Sequence, residues 1–133
     1  MHDRPPGFTV AVVDDDRRIL DSLEALLASA DFGVRAFESA TAMLDSGCLA
    51  EIDCLISDVG MPGMGGYELL KIARAMRPGL PVILISGRAD SIARAAGPEG
   101  RHYRLFTKPF NGEELLAAVV GALLKSGASG LRP

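Results

Sequence analysis

Two short, largely apolar runs in this chain end abruptly in acid. Phe8–Val13 is followed by Asp14, Asp15 and Asp16, and Ile52–Ser57 is followed by Asp58. Strands buried on both faces of a parallel sheet read as such near-continuous apolar stretches rather than as alternating ones. If the two strands lie side by side and parallel, their carboxyl ends coincide, and the acids gather at one sheet edge. Carboxylates held that close repel, and a hard divalent cation with oxygen ligands is the usual relief. Two later runs end in groups that suit the same edge: Pro81–Ile85 in the hydroxyl of Ser86, and Tyr103–Thr107 in the amine of Lys108. Acids, hydroxyl and lysine on successive strand ends make a small phosphoryl-handling site.

Strand-like and helix-like segments alternate along the rest of the chain. Ile19, Leu20, Leu23, Leu26 and Leu27 recur at helical spacing, and Val34–Phe37 reads as a second strand after Gly33. Ser39 suits an N-cap for a helix carrying Met43 and Leu44. A glycine-rich loop over 60–66 precedes a helix with Leu69, Leu70, Ile72, Ala73 and Met76, which Pro78 and Gly79 stop. Asn111 and Glu114 have capping-box spacing for a last helix through Lys125. Five strands alternating with helices predict a doubly wound α/β domain, whose ligands bind outside the carboxyl ends of the strands. Residues 8–125 form that domain on this account, with 1–7 a disordered extension and 126–133 a tail or linker stump.

The 133 residues suffice for one domain with a core and are too few for two. A net charge of -3 argues against a direct nucleic-acid surface, which normally shows a basic face. No apolar run approaches the roughly 18 residues of a membrane span, and the first residues lack the apolar stretch of a secretory signal. A cytoplasmic location is expected. Cys48 and Cys54 have no histidine at metal spacing and read as reduced thiols, Cys54 as a core residue of its strand.

Four segments together resemble the receiver domain of response regulators in bacterial two-component signalling. They are Val12 to Asp16, Ser57 to Gly66, Ile83 to Gly87 and Thr107 to Phe110, in that order and at receiver-like spacing. The resemblance runs from about Thr9 to Lys125 and is nearest to receivers of the nitrogen-fixation regulator type. It implies a flavodoxin-like five-stranded parallel sheet of order 2-1-3-4-5 with helices on both faces. It further implies that Asp58 accepts a phosphoryl group from a phosphohistidine. Asp15 and Asp58 would bind Mg²⁺ directly, Asp14 through a water, and Gly60 through its backbone carbonyl. Lys108 would offset charge during in-line transfer, and Ser86 would donate its hydroxyl to the phosphoryl group. Pro109 would follow a cis peptide. The partners implied are a sensor histidine kinase or phosphotransfer protein and an unknown output partner, with a homodimer possible. The chain would be a signalling phosphoacceptor, not an enzyme that turns over a substrate.

Taken singly, these residues have plainer roles. Asp14, Asp15 and Asp16 could cap the following helix, Ser86 could be a turn hydroxyl, Lys108 a surface lysine, and the glycines of 60–66 turn devices. Two features depart from the family. Leu105 occupies the place where receivers usually carry an aromatic, with Phe106 beside it and Tyr103 two earlier. Leu105 would therefore serve with Ser86 as the switch pair, but without a ring. Pro98, flanked by Gly97 and Gly100, should shorten or break the helix that receivers have there, and Arg94, Arg101 and Arg104 should make that surface basic. These departures allow a phosphorylation-independent binding module of the same fold. A small phosphatase is a second alternative, because Asp14-x-Asp16 resembles the opening of haloacid-dehalogenase-type enzymes, although Arg17 and Arg18 then follow.

Overall fold

In the computed structural model, residues 7–87 and 104–131 are described, with side chains as far as Lys125. The elements in chain order are β1 (Thr9–Val13), α1 (Arg17–Ser29), β2 (Gly33–Phe37), α2 (Ala40–Ser46), a 3-10 turn at Cys48–Ala50, β3 (Cys54–Asp58), α3 (Gly66–Met76), β4 (Val82–Ser86), β5 (Arg104–Thr107) and α4 (Gly112–Leu131). All strand pairs are parallel, in the order β2-β1-β3-β4-β5. The expected sheet is thus the observed one. Every residue of β3 and β4 is buried, whereas the outer strands β2 and β5 keep exposed positions. That difference is why the central strands read as unbroken apolar runs.

Side-chain alternation along β1 divides the core in two. Ala11 and Val13 join Met43 of α2 and Leu69 and Ala73 of α3 on one face. Val10 and Val12 join Leu20, Leu23 and Leu27 of α1 and Leu115, Val119 and Leu123 of α4 on the other. Each fully buried leucine in these stripes contributes about 2 kcal/mol, which fixes the helices to the sheet more firmly than their propensities do. Three helix starts are capped as their sequences suggest. The Asp16 carboxylate accepts from Arg18 N–H, Ser39 Oγ from Ala42 N–H, and Asn111 Oδ1 from Glu114 N–H at 2.9 Å. Arg77 closes the far end of α3 by donating from Nη1 to the carbonyls of Leu49 and Ile52.

The last helix departs from expectation by running past Lys125 to Leu131. Gly127 and Gly130 weaken a helix without forbidding it, and no proline stands between Lys125 and Pro133. The expected break at Gly97–Gly100, and with it Arg94, Arg101 and Tyr103, lies outside the described residues, as does the extension over 1–6.

Candidate functional site

The register of the sheet gathers the site. Val13 lies opposite Ser57 across the β1–β3 pair, so the next residues, Asp14 and Asp58, arrive at the same edge. Ser86 ends β4 and is paired with Thr107 of β5, which sets Lys108 beyond the same edge. Backbone bonds continue the ladder there: Lys108 N–H donates to Ser86 O at 2.9 Å and Val59 N–H to Ile85 O at 2.8 Å. The Lys108–Pro109 peptide is cis.

Lys108 joins the two buried acids. Its Nζ lies 3.1 Å from Asp58 Oδ1 and 3.3 Å from Asp14 Oδ2. The second contact is an ion pair without hydrogen-bond alignment, since Asp14 Oδ2 is buried with no hydrogen-bond partner. The other oxygen, Asp14 Oδ1, accepts from Asp16 N–H at 2.9 Å. Burial pushes the Asp14 carboxyl above its ordinary range, against the Asp16 N–H, and the neighbouring Asp58 adds to the rise. Burial alone would lower the Lys108 amine, but its hydrogen bond to Asp58 and the charges of both acids outweigh it and hold the amine above its ordinary value.

Asp15 completes the cluster from an exposed position. One carboxylate oxygen from each of Asp14, Asp15 and Asp58 lies within 4.8 Å of the others. Three oxygen donors, one of them buried without a hydrogen bond, fit a hard divalent cation and would suit a soft one poorly. A cleft of about 380 Å³ opens over Asp15 and Asp58, bounded also by Gly60, Ser86 and Lys108.

Asp16 and Gly87, to which the sequence assigned no part in the site, line the cleft as well. Asp16 is half-turned to other work, as the cap of α1 and the partner of Arg18 at 3.3 Å. Gly87 carries no functional group that a sequence pattern could single out. Leu105 does not line the cleft; it packs against the core face covered by α2 and α3.

The chain matches the response regulator receiver domain over residues 10–120. It belongs to the response-regulator receiver family. Among curated relatives, this receiver is 36% identical to the transcriptional regulatory protein FixJ of Bradyrhizobium diazoefficiens, over 86% of this chain and 56% of that protein. It is 39% identical to the response regulator protein TmoT of Ectopseudomonas mendocina, over 92% of this chain and 56% of that one. The receiver thus spans little more than half the length of these relatives. Solved structures agree with the fold. The signal receiver domain of an HD domain-containing protein from Pseudomonas fluorescens Pf-5 superposes with a TM-score of 0.80 at 32% identity, covering 92% of this chain and 98% of that one. A BeF3-activated DrrB receiver domain does so with 0.78 at 32% identity, covering 88% and 97%. Nothing in these likenesses favours a phosphatase or a phosphorylation-independent module. Among the described residues, no helix is long and apolar enough to cross a membrane.

Proposed function

We propose that Asp58 is the phosphoacceptor of this receiver and that a histidine kinase or a phosphotransfer protein supplies the phosphoryl group. The observation that carries this reading is Lys108 Nζ, held 3.1 Å from Asp58 Oδ1 at the end of a fully buried strand. A carboxylate oxygen of Asp58 attacks phosphorus and forms the acyl phosphate. The P–N bond of the phosphohistidine breaks, and its electron pair leaves with the imidazole nitrogen. Lys108 neutralises charge where two anions must meet, and the Ser86 hydroxyl at the next strand end donates to a phosphoryl oxygen once the group arrives.

Asp14, Asp15, Asp58 and the Gly60 carbonyl would hold Mg²⁺. The bound ion supplies charge neutralisation for the equatorial phosphoryl oxygens. Asp14 Oδ2 supports this assignment: it is buried, accepts no aligned hydrogen bond, and has Lys108 Nζ at 3.3 Å as its ion-pair partner, so a bound cation would complete its coordination. The chain catalyses only its own phosphorylation and dephosphorylation. The changed charge at Asp58 and the movement of Ser86, with Leu105 as its switch partner, alter the affinity for an output partner or for a second copy of the chain. The likeness to FixJ and TmoT supports an output in transcription through a part of the regulator other than this domain.

The test is intact-mass spectrometry after incubation with acetyl phosphate, with and without Mg²⁺, on the wild type and on Asp58→Asn. One Mg²⁺-dependent phosphate adduct, absent from the variant, is expected. A folded wild type that takes up no phosphate, or a variant that takes up as much, overturns the assignment.

A further inference from the structure

The Asp58 backbone rests on two glycines. Gly66 N–H donates to the Val59 carbonyl at 3.0 Å, which sets the first turn of α3 directly against the acceptor strand's end. A Cβ at Gly66 would lie 2.5 Å from the Asp58 carbonyl oxygen, 2.9 Å from Val59 Cα and 3.1 Å from the Asp58 carbonyl carbon. A Cβ at Gly65 would lie 2.9 Å from the Val59 carbonyl oxygen. All of these are backbone atoms, so no side chain can rotate away to make room. Neither residue is among the positive-φ glycines, and Gly65 has φ -89, so space rather than backbone freedom is what requires glycine here. Gly65 is the N-cap of α3 and offers no side-chain cap, although serine, threonine, aspartate and asparagine are favoured at such positions. Any such side chain would bring a Cβ against the Val59 carbonyl oxygen.

The geometry points to Gly65 and Gly66 as positioning residues for the acceptor: they let α3 pack on the Asp58–Val59 backbone closely enough to keep the Asp58 carboxylate on Lys108 and beside Asp14 and Asp15. This inference rests on Asp58 being the acceptor. Ordinary contact begins at 3.4 Å, so alanine at Gly66 demands a retreat of about 0.9 Å and alanine at Gly65 about 0.5 Å, where misplacement by about 1 Å costs about a hundredfold in rate. The ion pair at 3.1 Å has little slack for either displacement. Gly121, exposed on α4, would meet nothing within 4 Å and serves as the control.

The experiment compares Gly65→Ala, Gly66→Ala and Gly121→Ala in the whole chain by thermal melting. It adds the ¹³C resonance of the Asp58 carboxyl without metal, and the rate of Mg²⁺-dependent adduct formation from acetyl phosphate. Folded Gly65→Ala is expected to be about tenfold slower and Gly66→Ala about a hundredfold slower, each with a displaced Asp58 resonance, while Gly121→Ala matches the wild type. A folded variant at either glycine in which the resonance or the rate stays native overturns the inference. If Gly66→Ala does not fold, Gly65→Ala, with the smaller displacement, decides by the same criteria. If the wild type takes up no phosphate, the acceptor assignment fails separately, and the Asp58 resonances alone decide whether the glycines position that carboxylate.

Discussion

Replacing Lys108 by methionine removes the cation that touches both buried carboxylates while keeping much of the aliphatic stem. The side chains of Asp14 and Asp58 are 1% and 7% exposed, and that of Lys108 is 26% exposed. Breaking a fully buried ion pair costs about 3–5 kcal/mol, whereas an exposed one contributes under about 1 kcal/mol. The lysine's partial exposure places this case between them, at about 2–3 kcal/mol in metal-free buffer. For a domain of this size that is a fall in melting temperature of roughly 10 °C. The loss should be fully present at neutral pH. Lys108 is held above its ordinary 10.5, so its stabilising effect is complete below that value and fades only as pH rises through the higher folded one. Saturating Mg²⁺ should then restore most of the lost stability, because a doubly charged ion among three carboxylates replaces the missing cation and binds only the folded state. Urea melts of wild type and Lys108→Met, each with and without Mg²⁺, read both effects. A variant as stable as the wild type without metal, or one that Mg²⁺ stabilises no more than it does the wild type, would refute the electrostatic account of the cluster.

Asp14→Asn keeps an oxygen for the Asp16 N–H but removes a charge that burial opposes. A carboxyl raised above its ordinary 3.8 on folding adds stability below that value and loses it as pH climbs through the folded one. The amide is therefore expected to raise stability by about 0.5–1 kcal/mol at neutral pH, with the gain shrinking toward acid and Mg²⁺ affinity falling. Urea midpoints across pH and a Mg²⁺ titration check this, and a gain that grows toward acid contradicts it. Cys54 is buried, and that burial pushes its thiol from 9.0 up to about 12. The folded protein should leave Cys54 unlabelled by maleimide at neutral pH until denaturant is added, so labelling of the native protein at the rate of a free thiol would place Cys54 outside the core.

The sheet and most of the site were legible for one physical reason. A strand buried on both faces tolerates no charge, so the residue at which charge appears marks its end, and the ends of parallel strands coincide. Asp14 and Asp58 declare themselves this way; Ser86 is marked by the end of its buried apolar run, whereas Lys108 follows the part-exposed β5 and was placed by its motif. Caps such as Asp16, Ser39 and Asn111 are local and equally readable. The support under Asp58 was not legible. A glycine in a loop reads as a turn device, and only a distance of 2.5 Å from a Cβ position to the Asp58 carbonyl distinguishes Gly66 from Gly79, which meets nothing. The end of α4 was misjudged because small residues permit a helix without demanding one.

Leu105 and Phe106 show how far a one-residue offset carries. Side chains alternate along a strand, so neighbours in sequence face opposite sides of the sheet. Leu105 packs with Leu84 on the face covered by α2 and α3, and Phe106 packs on the face covered by α1 and α4, with the Arg104 guanidinium 5.2 Å from its ring centre. In the β4–β5 register Leu84 lies opposite Leu105, and Ser86, two residues on, shares the side of Leu84. A hydroxyl moving at Ser86 is therefore felt first on the face that holds Leu105. Phe106 cannot stand in for the missing ring, because no rotamer carries it through the sheet. A switch running from Ser86 to Leu105 would have to work by shifting aliphatic packing within that core cluster, not by turning an aromatic side chain between two rotamers. Its output would then be sensitive to the volume at position 105 and indifferent to an aromatic at 106.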